Sequence, residues 1–279
     1  MSGGPQTRAR DLAQGRSPAW AQPLAWLYWI AAAGLAPWIV YLFLTQVKRS
    51  PAHQVHILAV GLVLAMMAGL LTTAWLYARD SWLSVMAASF TATATFISAW
   101  FRILTKTGAR PWVGSLLVFV ALVTAVIVLC VIAIRADLAT MTEATHPGPG
   151  KHVRWLPAVL VLAALALVPS VIIAGTVGPG VQIAKHLRVA WTGLDVCELL
   201  AMAHTGSALF RRSAMVAIPA TVTGTLLLCD AWINIIPSTA LAQAEGIAMA
   251  FVEVPIAAIS FWVASRAMSF VAGADPGAR

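Results

Sequence analysis

Four carboxylates stand where a chain of this kind has little use for them. Asp195, Glu198, Asp230 and Glu253 fall inside long apolar runs, and an acid surrounded by hydrocarbon is costly enough to mark a candidate site. Trp191, Asp195 and Glu198 recur at i, i+4 and i+7, which is one face of a helix, and Met202 continues that face. On the next run Asp230 and Asn234 share a face at i and i+4, preceded by Thr223 and Leu227. The two runs are joined at Arg211-Arg212. Counting back from that link puts Asp195 about four turns and Asp230 about five turns away, with Glu253 about two turns into the last helix from the same side. The spacing therefore predicts a carboxyl cluster at one level of a helical bundle.

No Lys or Arg lies in the middle of an apolar run, and the deepest base, His204, sits nearer the Arg211 end. Crowded, poorly solvated carboxyls disfavour full ionisation, so at least one is expected to keep its proton at pH 7. A neutral carboxyl beside an ionised one makes an acid and a base. Trp191, Trp232 and Trp100 offer π faces to a cation, and with Met202 and Asn234 they are the residues expected to line a substrate pocket. Together these point to acid-initiated cyclisation or isomerisation of an isoprenoid dissolved in the bilayer, with Asp195 and Asp230 as acids and Glu198 holding or reloading the proton. The same acids suit a proton-coupled transporter of small molecules. An accessory membrane subunit with no site of its own is the third possibility.

Each residue also has a plainer reading. Tryptophans anchor helices at membrane interfaces, and Asp230, near a helix end, can face headgroup water. Asp195 and Glu198 can bond Thr or Asn across helices. Glu253 with Pro255 can mark a kinked helix. His204 reads as a structural histidine, the stripe Thr91, Thr95 and Ser98 as close helix packing, and Glu245 as an acid at a helix start, where the dipole favours it.

The elements that must position these acids are membrane helices. Of the 279 residues 60% are hydrophobic and 10% charged, and the mean hydropathy is +0.85, which excludes an ordinary soluble domain. Apolar runs of about 20 residues, each able to cross a hydrocarbon core of roughly 30 Å, occur at Leu24 to Leu44, Ile57 to Tyr77, Leu83 to Leu104, Trp112 to Ile134, Leu156 to Gly175, Val189 to Phe210, Ser213 to Ile236 and Glu245 to Ser265. The fold expected is an all-α polytopic membrane protein with about eight transmembrane helices. Residues 1–23 form a polar, basic tail without the apolar core of a signal peptide. Residues 24–134 hold four runs, 135–153 a polar linker containing Pro147-Gly148-Pro149-Gly150, 154–266 four more runs with the acidic cluster Asp195, Glu198, Asp230 and Glu253, and 267–279 a C-terminal tail.

The two sets of runs share one register. Adding 132 to the residue number takes Pro37 to Pro169, Gly61 to Gly193, Arg79 to Arg211, Ser81 to Ser213, Thr91 and Thr93 to Thr223 and Thr225, Trp100 to Trp232, and Gly114 to Gly246. Shared punctuation without a gap reads as tandem duplication, and an even number of helices per copy makes the copies parallel. The same shift takes Val63 to Asp195, Met66 to Glu198, Ser98 to Asp230 and Ala121 to Glu253. A scaffold requirement would appear in both copies, so the acids are expected to serve a site of the second.

The net charge of +8 is scattered over the links rather than gathered on a face, so nucleic acid is not an expected partner; the bilayer and a hydrophobic small molecule are. Placing the N-terminus inside gives eleven Lys and Arg on the inner side, Arg8, Arg10, Arg16, Arg79, Arg135, Lys151, Arg154, Arg211, Arg212, Arg266 and Arg279, against seven outside. Both termini are thus expected to be cytoplasmic in a multi-pass plasma-membrane protein. Cys130, Cys197 and Cys229 all fall in apolar runs, which argues against a disulfide framework or a metal cluster. P-loop, Rossmann, HExxH, CxxC and nucleophile-elbow patterns are missing. So is the paired Asp-rich motif of magnesium-diphosphate prenyltransferases, and no cofactor or metal is expected.

Trp191-Thr-Gly193-Leu-Asp195-Val-Cys-Glu198, then Leu226-Leu-Leu-Cys-Asp230-Ala231-Trp232-Ile-Asn234, then Glu253-Val-Pro255, resembles the pattern of short four-helix integral membrane proteins common in actinobacteria, whose function is unassigned. The resemblance covers about Arg154 to Arg266. Asn234 stands where that pattern leads one to expect a second Asp. In type of site the chain is also similar to the integral-membrane terpene cyclases, in which buried acids protonate an epoxide or terminal alkene of a prenylated substrate.

Overall fold

The structure, a computed structural model, describes residues 21–45, 53–79, 81, 83–104, 123–124, 126–134, 155–176, 187–211, 213–235 and 240–267. Among them there are helices and turns and no strand. The helices are α1 (Ala21–Thr45), α2 (His53–Ala78), α3 (Ser84–Leu104), α4 (Leu156–Thr176), α5 (Leu187–Phe210), α6 (Ala217–Asn234) and α7 (Ala240–Ser265). Residues 126–134 are helical as well, and a 3₁₀ turn, Ala214–Val216, leads into α6. Of the tail 1–23, residues 21–23 are the first turn of α1; residues 1–20, the linker 135–153, the start of the fourth apolar run with Gly114 and Ala121, and residues 268–279 lie outside the described residues.

The apolar runs become helices because a helix closes its own backbone hydrogen bonds, leaving side chains of any hydropathy free to face outward. The described exterior is accordingly apolar: Phe251 is 77% exposed and Trp26 68%, and Leu162, Leu165, Leu200 and Ile30 are also exposed. A monomer in water rarely carries so much exposed apolar surface. Val60–Ala78, Ser84–Phe101 and Gly246–Ser265 are each long and apolar enough to cross a membrane. One expectation needs correction. Helix α7 begins at Ala240 rather than Glu245, because the run Ala240-Leu-Ala-Gln-Ala is itself made of good helix formers; Glu245 is not at a helix start.

Helices adjacent in sequence pack along one another: α1 with α2, α2 with α3, α4 with α5, α5 with α6, and α6 with α7. Helix α3 of the first half lies against α6 of the second, and α3 also touches α5. Contacts recur at the 132-residue spacing. The Thr73 and Thr91 hydroxyls meet at 3.2 Å, and those of Thr205 and Thr223 at 3.0 Å. Thr73 donates to the Gly69 carbonyl and Thr205 to that of Ala201; Thr91 donates to Ala87 and Thr223 to Pro219. Such bonds to a carbonyl four residues back hide a hydroxyl inside a helix, which is how Thr91 and Thr95 stay fully buried. The turns match too: the Ser81 N–H bonds the Leu76 carbonyl, and the Ser213 N–H bonds that of Ala208.

Across the halves one contact is made twice with the roles exchanged. A Cβ placed on Gly61 of α2 would lie 2.5 Å from the Trp232 ring of α6, and one on Gly193 of α5 would lie 2.5 Å from the Trp100 ring of α3. Only glycine leaves room for these rings. Around them Leu62, Ile97, Phe101, Leu194, Leu226 and Ile233 form an apolar core drawn from both halves.

Candidate carboxylate site

Helices α5, α6 and α7 bring the acids together. Asp195 and Glu198 are one turn apart on α5, and Asp230 faces them from α6. One carboxylate oxygen from each of the three lies within 4.8 Å of one from each of the others. Glu198 is 2% and Asp230 4% exposed, whereas Asp195 is half-buried. The cluster therefore runs from a partly accessible acid to two sealed ones.

Glu253 joins from α7 through Asn234. The Asn234 Nδ2 donates to Asp230 Oδ2 at 2.9 Å and to Glu253 Oε1 at 3.3 Å, so one amide ties two carboxyls on neighbouring helices. The contact is possible because Gly246 of α7 packs directly on the Asn234 backbone carbonyl. Two turns further along, Glu253 occupies the same face of α7 and is 5% exposed. An Asp at 234 would add a negative charge to this cluster, whereas the amide supplies a donor.

Three carboxylate oxygens of the group have no partner. Glu198 Oε1, Asp230 Oδ1 and Glu253 Oε2 are buried without a hydrogen bond, as is Thr192 Oγ1, one turn before Asp195. Buried polar atoms are nearly always paired, and a buried carboxylate without a positive neighbour is more costly still. Along the interior of α6 and α7 the sequence offers no Lys or Arg. Asp195, Glu198 and Asp230 are thus placed to hold a cation, a proton or a metal ion.

The other residues singled out by sequence fall into two groups. Trp191 is half-buried one turn before Asp195 and meets Phe101 edge-on, ring centroids 6.3 Å apart. Met202 is buried at 1% exposure, one turn beyond Glu198. Trp100 and Trp232 hold the two halves together: Trp100 Nε1 donates to the Ala190 carbonyl at 3.0 Å, and Trp232 rests on Gly61 while staying 42% exposed. His204 is exposed, and so is Arg211; the histidine is not a buried structural residue. The crosswise contacts were not foreseen from sequence, although both glycines and both tryptophans stand in the 132-residue register. Pairing them needed the knowledge that the halves face each other through α3 and α6. No family model, curated protein or solved structure matches this chain.

Proposed function

We propose that the chain is a polytopic membrane protein of about eight helices in two parallel four-helix repeats, whose second repeat binds a cation and couples its movement to that of a small solute. The observation that carries this reading is the convergence of Asp195, Glu198 and Asp230 within 4.8 Å, with orphaned oxygens on the two buried members. Intramembrane carboxylates of this kind mark ion and proton pathways. The gradation from half-buried Asp195 to sealed Glu198 and Asp230 gives the ion an entrance and a resting place. Trp100 packs on Gly193, two residues before Asp195, and Trp232 stands two residues after Asp230, so the acids of the second repeat lie beside the seam between repeats, where secondary transporters commonly place their sites. A plasma-membrane location with both termini inside, and kinship with the short actinobacterial four-helix proteins, belong to the same proposal.

The test is charge displacement in proteoliposomes on a supported membrane. A step in external cation concentration or pH is expected to evoke a transient current in the wild type, lost in Glu198→Gln and Asp230→Asn and kept in His204→Ala. A current of equal size in all four would remove the carboxylates from ion binding.

A second reading, acid-initiated cyclisation or isomerisation of a lipidic isoprenoid, is favoured by Trp191 and Phe101, which place an aromatic wall next to the accessible acid Asp195. It draws less support from Trp100 and Trp232, whose faces are engaged in packing. Membranes carrying the wild type or Asp195→Asn, incubated with prenylated epoxides and alkenes, test it: product from the wild type alone supports it, and equal turnover by both removes Asp195 as the acid.

A further inference from the structure

We infer that Asp195, Glu198 and Asp230 form a binding site for a hard divalent cation, one per chain. The inference rests on the cation-coupled reading above and names the ion.

Oxygen ligands of calcium sit about 2.3–2.6 Å from the ion, so two on opposite sides are separated by roughly 4.6–5.2 Å. The three acids each present an oxygen within 4.8 Å of the others, a spread that one ion of this size spans. The helices set it: Asp195 and Glu198 at i and i+3 share a face of α5, and α6 packs against α5 with Asp230 at the matching level.

The second observation is independent of proximity. Glu198 and Asp230 are more than nine-tenths buried, converge with Asp195, and leave Oε1 and Oδ1 without any hydrogen bond. Asp230 has its other oxygen satisfied by Asn234, which fixes the carboxylate and leaves Oδ1 as the free ligand atom. Asn234 also donates to Glu253, so the carboxylate on α7 lies directly beside Asp230 and adds a fourth negative group to the same site. A metal ligand is commonly oriented in this way by a hydrogen bond to its other atom.

Ligand chemistry gives the class of ion. Among the described residues no His or Cys joins the group, and an all-oxygen set selects magnesium, calcium or manganese over zinc or copper. With one Asp230 oxygen engaged by Asn234, the three carboxylates supply roughly three to five oxygens. Water completes the shell on the side where Asp195 is only half-buried, which is also the route of entry. Stoichiometry follows from the first half, where Val63, Met66 and Ser98 are buried at the equivalent positions and offer no carboxylate.

Manganese is the probe, since free Mn²⁺ gives a resonance spectrum that disappears on binding. Titration of the purified full chain in detergent is expected to show one saturable Mn²⁺ site that Ca²⁺ displaces. Glu198→Gln and Asp230→Asn, which keep shape and burial, are each expected to weaken it at least tenfold, while His204→Ala leaves it unchanged. Thermal unfolding of the same samples separates loss of ligand from loss of fold: Ca²⁺ should raise the transition of the wild type and not those of the two site variants. No saturable binding to folded wild type, or binding undiminished in both site variants, overturns the inference. If Mn²⁺ fails to bind but a pH step still moves charge in a Glu198-dependent way, the divalent site is wrong and the coupling ion is the proton. If neither occurs, the cation-coupled reading falls too.

Discussion

At three places the first half of the chain is sealed with uncharged side chains, and at the same places 132 residues on, the second half carries carboxyls. Val63, Met66 and Ser98 are 2%, 1% and 6% exposed, and Met66 belongs to an apolar core with Tyr28, Leu70 and Cys130. Their counterparts are Asp195, Glu198 and Asp230. The surrounding contacts are nevertheless kept: the Thr73–Thr91 and Thr205–Thr223 bonds, the Ser81 and Ser213 turns, the exchanged Gly–Trp pairs. The contacts that recur in both halves are made without the acids.

The largest effect should come from forcing the first half to resemble the second. Met66→Glu puts a single carboxylate into a core with no bridging amide and no second acid, and is expected to destabilise the chain by about 3–5 kcal/mol, measured by reversible unfolding in mixed micelles. A loss below about 1 kcal/mol would mean that the first half tolerates an acid as readily as the second. The reverse change sharpens the point. Glu198→Met replaces a buried acid by a residue of similar volume and is expected to raise stability by about 1–4 kcal/mol while abolishing the cation-evoked current. A destabilised Glu198→Met protein would show that the acid is structural.

Smaller effects test what the halves share. Gly61→Ala and Gly193→Ala each drive a methyl into a tryptophan ring and are expected to cost about 1–3 kcal/mol, by similar amounts because the contact is the same. Only if one were silent would the exchanged packing be lopsided. Smaller again, Thr73→Val and Thr205→Val each remove one hydroxyl bridge and should cost about 1 kcal/mol. These pairs are read in the same unfolding experiment.

Much of this was legible in the chain itself. Apolar runs bounded by Arg, Pro and Gly located the helices, since length and hydropathy suffice for that, and counting turns from Arg211-Arg212 put Asp195 and Asp230 at one level. Other features were not legible, for physical reasons. The start of α7 at Ala240 was hidden because Ala and Gln before Glu245 are helix formers without strong hydropathy. Helices apolar on every face give no periodicity that says which neighbour they meet, so the pairing of Trp100 with Gly193 and of Trp232 with Gly61 was invisible. Nor does sequence reveal that the Asn234 amide lies between Asp230 and Glu253, because that depends on how closely Gly246 lets α7 approach α6.

On the proposed function the second half carries an ion site that the first half lacks and that the scaffold does not require. The most direct measurement is charge displacement by a chain in which the three acids are exchanged for their first-half counterparts, Asp195→Val, Glu198→Met and Asp230→Ser, reconstituted beside the wild type. The triple variant is expected to be at least as stable as the wild type and electrically silent after a cation or pH step. A folded triple variant that moves as much charge as the wild type would contradict it.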